Sequence, residues 1–348
     1  MVEFNDRTYT RRRMLQTSLG AALAVTGLSA CGGGGGAAGG DGSTPSVTVV
    51  NTSATGALAL GHLLDKLKYY DQFGVSVKTK NVQAGNQVLA GIASGSADMT
   101  VLSGLIGLFP ALAKGMPAKL VGGTQVVSTS AIFTGNPKIQ RIADLKGKTI
   151  GVGAVGAELY SVFVALLSRE GISKNDVTFR NVGSSADSFK AALARQVDCG
   201  YAQVGDEAEA KKHGCRMIAT VAHELPLWMN QGAVASTRAI ERKRDALVRV
   251  LAAYGKLFEY LATPESKASY VAAYVKAGGS PDSAALEWQF VNGHRVYSPT
   301  FELPQDKLNF IQQQNVKSGT QDAVLPFDKY TNLSLVKGAK SLIANKPI

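Results

Sequence analysis

The sequence has few of the residues that most enzymatic and metal chemistry requires. Three cysteines and four histidines occur in 348 residues. The histidines His62, His213, His223 and His294 show no ligand spacing, so no metal is expected. The serines of "VGSSADSF" sit outside any G-x-S-x-G elbow and the histidines carry no local motif. No catalytic residue is assigned, and an enzyme is not expected. Aromatics make up only 7% of the chain. The lysines and arginines behind the net charge of +11 are scattered, with no RNP, finger or basic-helix pattern, which argues against nucleic acid as a partner. "ERKRD" at 241–245 reads as a solvated helix start. Beyond the first thirty residues there is no uninterrupted apolar run of about 18 residues, so no later segment is expected to enter a membrane.

What is present begins with an export signal. "TYTRRRMLQTSLGAALAVTGLSAC" joins paired arginines to an apolar stretch of small residues. Leu15 to Ala30 is too short and too interrupted by Gln, Thr, Ser and Gly to span a bilayer, which takes about 20 mostly apolar residues. The run resembles a twin-arginine signal, and "LSAC" resembles a lipobox whose Cys31 is acylated after cleavage. "GGGGGAAGGDGSTPS" then has almost nothing to bury and reads as a tether. Residues 1–30 are thus expected to be a leader and 31–45 a leash. The protein would be exported to the periplasm or outer membrane face and anchored through lipidated Cys31. Cys199 and Cys215, sixteen residues apart, are free to pair in that oxidising space.

From Ser46 the pattern alternates strand and helix. "VTVVNTS", "VSVKTKNV", "DMTVLSG" and "AKLVGGTQ" read as strands separated by amphipathic runs. "KTIGVG", "DVTFRNVG", "VDCGYAQVG" and "CRMIATVA" repeat the grammar. Two similar doubly wound α/β halves are implied. From about Arg238 the composition turns helical, with Pro264, Pro281 and Pro304 at first-turn positions.

Gly151, Gly153 and Gly156 spell G-x-G-x-x-G between a strand and a helix. A dinucleotide site also needs an acid at the carboxyl end of the next strand, and that end reads Asn181-Val182-Gly183. Asp176 precedes the strand instead, so no nucleotide cofactor is expected. The glycines still allow the backbone to approach a ligand and present unpartnered helix amides.

"DKLKYYDQFGVSVKTKNVQAGNQVLAGIASGSADM", "RIADLKGKTIGV", "LLSREGISKNDVTFRNVG" and "AALARQVDCG" resemble, in order, the substrate-binding proteins of ABC importers. The branch is the one serving nitrate, sulfonates, taurine and thiamine-precursor pyrimidines. The resemblance implies a type II periplasmic-binding-protein fold: two lobes joined by two crossover strands near "VVSTSAIF" and "GAVAST", with the helical C-terminal region packed on lobe 1. Lobe 1 is expected over 46–128 plus 238–348, and lobe 2 over 129–237.

Ligands of open α/β sheets gather at the carboxyl ends of strands. The candidate ligand-binding residues are therefore Thr52, Ser53 and Thr55; Gly85, Asn86 and Gln87; Ser103 and Gly104; Gly153, Gly156, Ala157 and Glu158; Ser184 and Ser185; and Asp206. Each hydroxyl or amide alone could equally be a cap or turn residue. Glu158 is either a partner of the helix dipole or a ligand contact that would repel an anion. Trp228 either stacks on a planar ligand or fills the hinge. The expected partners are one small organic anion of sulfonate, nitrate or carboxylate type and an inner-membrane ABC permease, with the protein a monomer. A planar nitrogen heterocycle such as an aminopyrimidine, or a sensing role without transport, stands as the alternative. The fungal thiamine-precursor synthase shares the implied fold but does not suit a lipoprotein leader.

Overall fold

The first sheet is built around strands buried on both faces, with a more exposed strand at one edge. β1 (Ser46–Thr52) pairs in parallel with β2 (Ser76–Val82) and with β3 (Met99–Gly104). β3 buries nearly every side chain, the pattern of a strand covered by helices on both sides. β4 (Ala118–Gln125) completes this half of the chain. The computed structural model describes residues 44–345, which lie in one compact unit; the leader, Cys31 and all but the last two tether residues fall outside the described residues.

The second half supplies β5 (Ser130–Thr134), β6 (Thr149–Val152), β7 (Thr178–Asn181), β8 (Gly200–Gln203) and β9 (Arg216–Thr220), and the chain then returns as β10 (Gln231–Ser236). The first sheet runs β2-β1-β3-β10-β4. In the second, β8-β5-β9 and the pair β6-β7 are joined by a bridge between Ile150 and Cys199, so the strands follow the order β7-β6-β8-β5-β9. In both sheets the fourth strand comes from a crossing segment and runs antiparallel to its neighbours.

One aspartate in each half fixes the start of the first parallel strand. Asp98 accepts from the Thr48 N–H at 2.8 Å while its own N–H donates to the Thr48 carbonyl. Asp198 accepts from the Thr149 N–H at 2.9 Å and donates to the Thr149 carbonyl. These are the aspartates of "SGSADM" and "RQVDCG".

The helices that matter for the site are α1 (Thr55–Leu67), α2 (Gly85–Ala93), α3 (Leu105–Ala113), α4 (Glu158–Arg169) and α5 (Ser185–Leu193). α1 buries Ala59, Leu60, Leu63 and Leu64, one face at helical spacing. The C-terminal region adds α6 (Arg244–Leu261), α7 (Ser266–Lys276), α8 (Pro281–Gly293), α9 (Gln305–Ser318) and α10 (Ser334–Ala344). α6, α7 and α10 enclose the first core with α1, around Leu60, Leu64, Leu251, Tyr254 and Phe258. Two other helices of the tail reach further. α8 packs on the turn 204–206 after β8, and α9 lies against both α3 and α4.

The first crossing is the segment 126–129 between β4 and β5, inside the expected "VVSTSAIF". The second differs from the expectation. "GAVAST" is mostly β10 itself, hydrogen-bonded between β3 and β4, so the chain crosses earlier, within 221–230. Residues 231–236, expected in the second lobe, therefore belong to the first sheet. The onset of helical composition at Arg238 marks where β10 ends, not where the chain crosses. Cys199 and Cys215 are both buried and unpaired. Among the described residues no helix is long and apolar enough to cross a membrane.

Candidate functional site

The carboxyl ends of the parallel strands open onto helix starts whose caps differ. α1, α2, α3 and α4 begin after Ala54, Ala84, Gly104 and Ala157, none of which supplies a side-chain cap. First-turn N–H groups without intrahelical partners are donors for an incoming oxygen. Two are already used: the Leu105 N–H donates to the Asn230 carbonyl at 3.1 Å, and the Gln87 N–H to Asn86 Oδ1 at 2.9 Å. α5 is closed by its own sequence. The Ser184 hydroxyl accepts from the Asp187 N–H at 3.2 Å, and the Asp187 carboxylate accepts from the Ser184 N–H at 3.0 Å.

Several candidates are likewise occupied locally. Gln87 Oε1 accepts from the N–H groups of Gln83 and Ala84, and Asn86 Oδ1 accepts from the Gln87 N–H, with Gly85, Asn86 and Gln87 all exposed. The Ser53 N–H donates to the Val82 carbonyl at 2.7 Å beside half-buried Thr52 and Thr55. Ser103 is buried and pairs with Gly232. Ser185, half-buried, opens α5. Asp206 Oδ2 accepts from the Gln203 N–H at 3.0 Å, and burial raises its carboxyl above the usual range. Trp228 is only 2% exposed and meets Phe310 of α9 edge to face. It fills the core beside the second crossing and offers no free face for stacking.

The two halves meet at Gly104 and Glu158. Glu158, the first residue of α4, directs Oε2 to within 3.9 Å of the position a Cβ on Gly104 would take. The glycines before it make this approach feasible. A Cβ on Gly153 would lie 3.0 Å from the Gly183 carbonyl oxygen, and Gly156 has φ +82, a conformation that favours glycine. Gly156 also faces Thr320 of the tail.

The other oxygen of Glu158 is held by groups that the sequence reading left in the strands. Oε1 accepts from the Tyr201 hydroxyl at 3.0 Å, and Ser130 Oγ in turn donates to that hydroxyl. Burial pushes the Glu158 carboxyl up to about 7, with the Tyr201 hydrogen bond pulling partly back. Tyr201 is itself raised well above its ordinary value, first by burial and then by the adjoining carboxylate.

A polar seam runs from here along the two crossings. Asn230 Nδ2 donates to Gln125 Oε1 at 3.2 Å, Gln125 Nε2 to Thr129 Oγ1 at 3.1 Å, and Thr129 Oγ1 to Gln203 Oε1 at 2.6 Å. Asn230 Oδ1 and the Thr124 hydroxyl are buried without partners. At the far end Glu287 of α8, 5% exposed, accepts from the Gly205 N–H at 2.9 Å. Burial pushes its carboxyl up to about 8; the Gly205 N–H offsets part of this, and nearby Asp206 adds to it. Among the described residues no three His, Cys, Asp or Glu side chains are grouped to hold a metal ion.

A family profile described as NMT1/THI5 like matches residues 64–282, more than half of the chain. The chain belongs to the NMT1/THI5-like family. No curated protein matches the sequence. Among solved structures, the periplasmic aliphatic sulphonate binding protein SsuA from Escherichia coli matches this family member with a TM-score of 0.66 at 18% identity, over 83% of this chain and 92% of that one. A Candida albicans protein described as exhibiting the generic periplasmic binding protein structural fold matches with a TM-score of 0.64 at 14% identity, over 85% and 95%. The desulfurization enzyme DSZB matches with a TM-score of 0.60 at 15% identity, over 85% and 99%. At these identities the likeness is one of fold. The NMT1/THI5-like chain therefore has the periplasmic-binding-protein architecture, which carries binding proteins and at least one enzyme.

Proposed function

We propose that this chain is an extracytoplasmic solute-binding protein that closes two α/β lobes over one small organic acid and delivers it to the permease of an ABC importer. The observation that carries the reading is the approach of Gly104 and Glu158, which brings the uncapped start of α3 on the first sheet against that of α4 on the second. Helix starts of this kind supply N–H donors for a ligand oxygen from both sides. The paired crossings at Gln125 and Asn230 form the hinge, and the solute stabilises the closed state by contacting both walls. Lobe 1 follows the first sheet with α6, α7 and α10, and lobe 2 follows the second sheet; the leader and Cys31 provide export and the anchor.

The likeness to sulfonate-binding proteins favours binding over turnover. An aromatic heterocycle stacked on Trp228 is not proposed, because that ring is buried against Phe310. Calorimetry with alkanesulfonates, nitrate and short carboxylates tests the proposal. One ligand per chain, recovered unaltered after incubation, is expected. Conversion of the bound compound would move the protein to the enzymes of this fold, and an inert panel would remove the substrate class.

A further inference from the structure

Resting on the anchor reading above, we propose that the amino end of the first sheet docks on an anionic phospholipid surface, with a headgroup phosphate received between Arg238 and Arg242. Cleft and dock lie at opposite ends of the same strands. β10 ends at Ser236 beside the start of β3, and there Gly95, Asp98, Ser236, Arg238, Arg242 and Lys243 surround a hollow of about 150 Å³. That is roughly the volume of five waters, room for one phosphate group.

The charge of this hollow is not answered by the protein. The short helix Thr237–Arg242 carries both arginines one turn apart on one face. Among the described residues neither guanidinium makes an ion pair or a hydrogen bond, and both residues are exposed. Asp98, the acid lining the hollow, is already spent, because it accepts from the Thr48 N–H at 2.8 Å and from the Lys243 ammonium at 2.8 Å. Two positive charges are left over. Exposed Glu241, next to Arg242 in sequence, does not line the hollow. Guanidinium forks match phosphate oxygens in pairs, and clustered basic groups near a bilayer are drawn to anionic headgroups.

The place where the chain enters the sheet favours a membrane as the occupant. The tether expected over 31–45 runs into β1 at Ser46, and Thr48, two residues on, is the strand partner of Asp98. A Gly-rich chain of that length has a mean reach of about 20 Å. With Cys31 in lipid, this end of the sheet is therefore held close to the surface, where a weak headgroup contact gains from high effective concentration. The cleft, at the carboxyl ends of the strands, is left turned away from the bilayer. Another basic hollow, of about 420 Å³ between Arg180 and Lys190 on the edge strand β7, belongs to the second sheet and has no tether beside it.

Vesicle flotation tests the proposal, using the whole chain with Cys31→Ser, which cannot be lipidated, and vesicles of phosphatidylcholine with or without about a third phosphatidylglycerol. The readout is the excess bound to the anionic vesicles, to which the leader contributes equally in every variant. That excess is expected to fall at least threefold in Arg238→Ala/Arg242→Ala and to change little in Arg180→Ala/Lys190→Ala, which removes the same charge from the second sheet. Equal losses in the two variants would reduce the effect to net charge and overturn the proposal. An excess that is absent from the start, or that survives in Arg238→Ala/Arg242→Ala, overturns it too. Calorimetric binding of inorganic phosphate without any vesicle excess would assign the hollow to a free anion, with the same consequence. The anchor is read separately, from the mass of the Cys31 peptide of membrane-extracted protein. An unmodified Cys31 would count against the anchor, on which the vesicle measurement does not depend.

Discussion

The two sheets of this chain are built alike and equipped differently. Strand order, the antiparallel fourth strand and the stapling aspartate recur in both. At the edge that faces the cleft the likeness stops. The first sheet offers helix starts behind Ala54, Ala84 and Gly104 with no acid in their first turns. The second offers Glu158, Asp187 and Asp206, and α8 adds Glu287 against it. A repeated scaffold sets where a site can form, while the loops, free of pairing constraints, set which charge it receives.

The largest expected effect follows from the acids of the second half. Glu287 and Glu158 are raised by burial, to about 8 and about 7, so the folded protein holds protons that the unfolded chain releases near 4.5. Their contribution is fully present below about pH 4.5 and is lost as pH rises towards the folded values, at up to about 1.4 kcal/mol per pH unit for each group. Tyr201 faces Glu158, and Asp206 with Tyr270, Tyr274 and Tyr297 surround Glu287; none of these adds a cation that would reverse the sign. Urea unfolding of the ligand-free protein at pH 5, 6, 7 and 8 should show stability falling relative to Glu287→Gln across the whole window, and relative to Glu158→Gln mainly below pH 7. Parallel wild-type and variant curves would contradict the burial argument.

The scaffold half of the comparison can be broken at the staples. Asp98→Ala and Asp198→Ala each free a strand N–H and remove a charged acceptor, with an expected loss of about 2–3 kcal/mol apiece. Asp98 also pairs with Lys243 at 2.8 Å, whereas Asp198 accepts from Asn136 Nδ2 at 2.9 Å. The Lys243 ammonium is well exposed, so its pairing adds little. Closely matched losses in chemical denaturation would confirm the structural equivalence, and a large inequality would limit it to topology.

Much of the scaffold could be read from the chain because its signals are local. Alternating strands and helix faces such as Leu60 with Leu63 and Leu64 depend on neighbours a few residues away, whereas Asp98 and Asp198 take their roles from Thr48 and Thr149, about fifty residues upstream. The second crossing was misplaced because β10 is defined by its pairing with β3 and β4, more than a hundred residues upstream. Glu158 was identified as a candidate from its place at a helix start, but its surroundings were not. Tyr201 and Ser130 lie inside strands that look like plain core, and only the packing of β5 beside β8 brings their hydroxyls together. Glu287 was missed because "SAALEWQF" reads as one more helix of the tail. An acid within so apolar a run is the sign that could have marked it. Trp228 stood equally as a ligand platform or a hinge filler, a choice that three-dimensional packing alone decides.

At the cleft itself, Gly104→Leu would place a side chain on the first wall where Oε2 of Glu158 now faces open backbone. The backbone at Gly104, with φ −62 and ψ 123, accepts any residue. Folding should therefore survive while solute affinity drops by about tenfold or more, a cost of roughly 1.4 kcal/mol. Calorimetry with whichever solute the wild-type protein binds provides the measurement. Unchanged affinity would place the solute elsewhere along the strand edge.

The smallest effect separates a cap from a contact. Ser184 was a candidate for ligand binding by its position after β7, yet its hydroxyl closes the start of α5 together with Asp187, whose carboxyl is held below its usual range by the Ser184 hydrogen bonds. Ser184→Ala should cost about 1 kcal/mol of stability, the ordinary value of a lost cap. It should leave solute affinity untouched, because both oxygens concerned are spent within the turn. A fall in affinity larger than the fall in stability would mean that the hydroxyl turns to the solute on closure. The second sheet would then contribute two helix starts to the cleft instead of the one at Glu158.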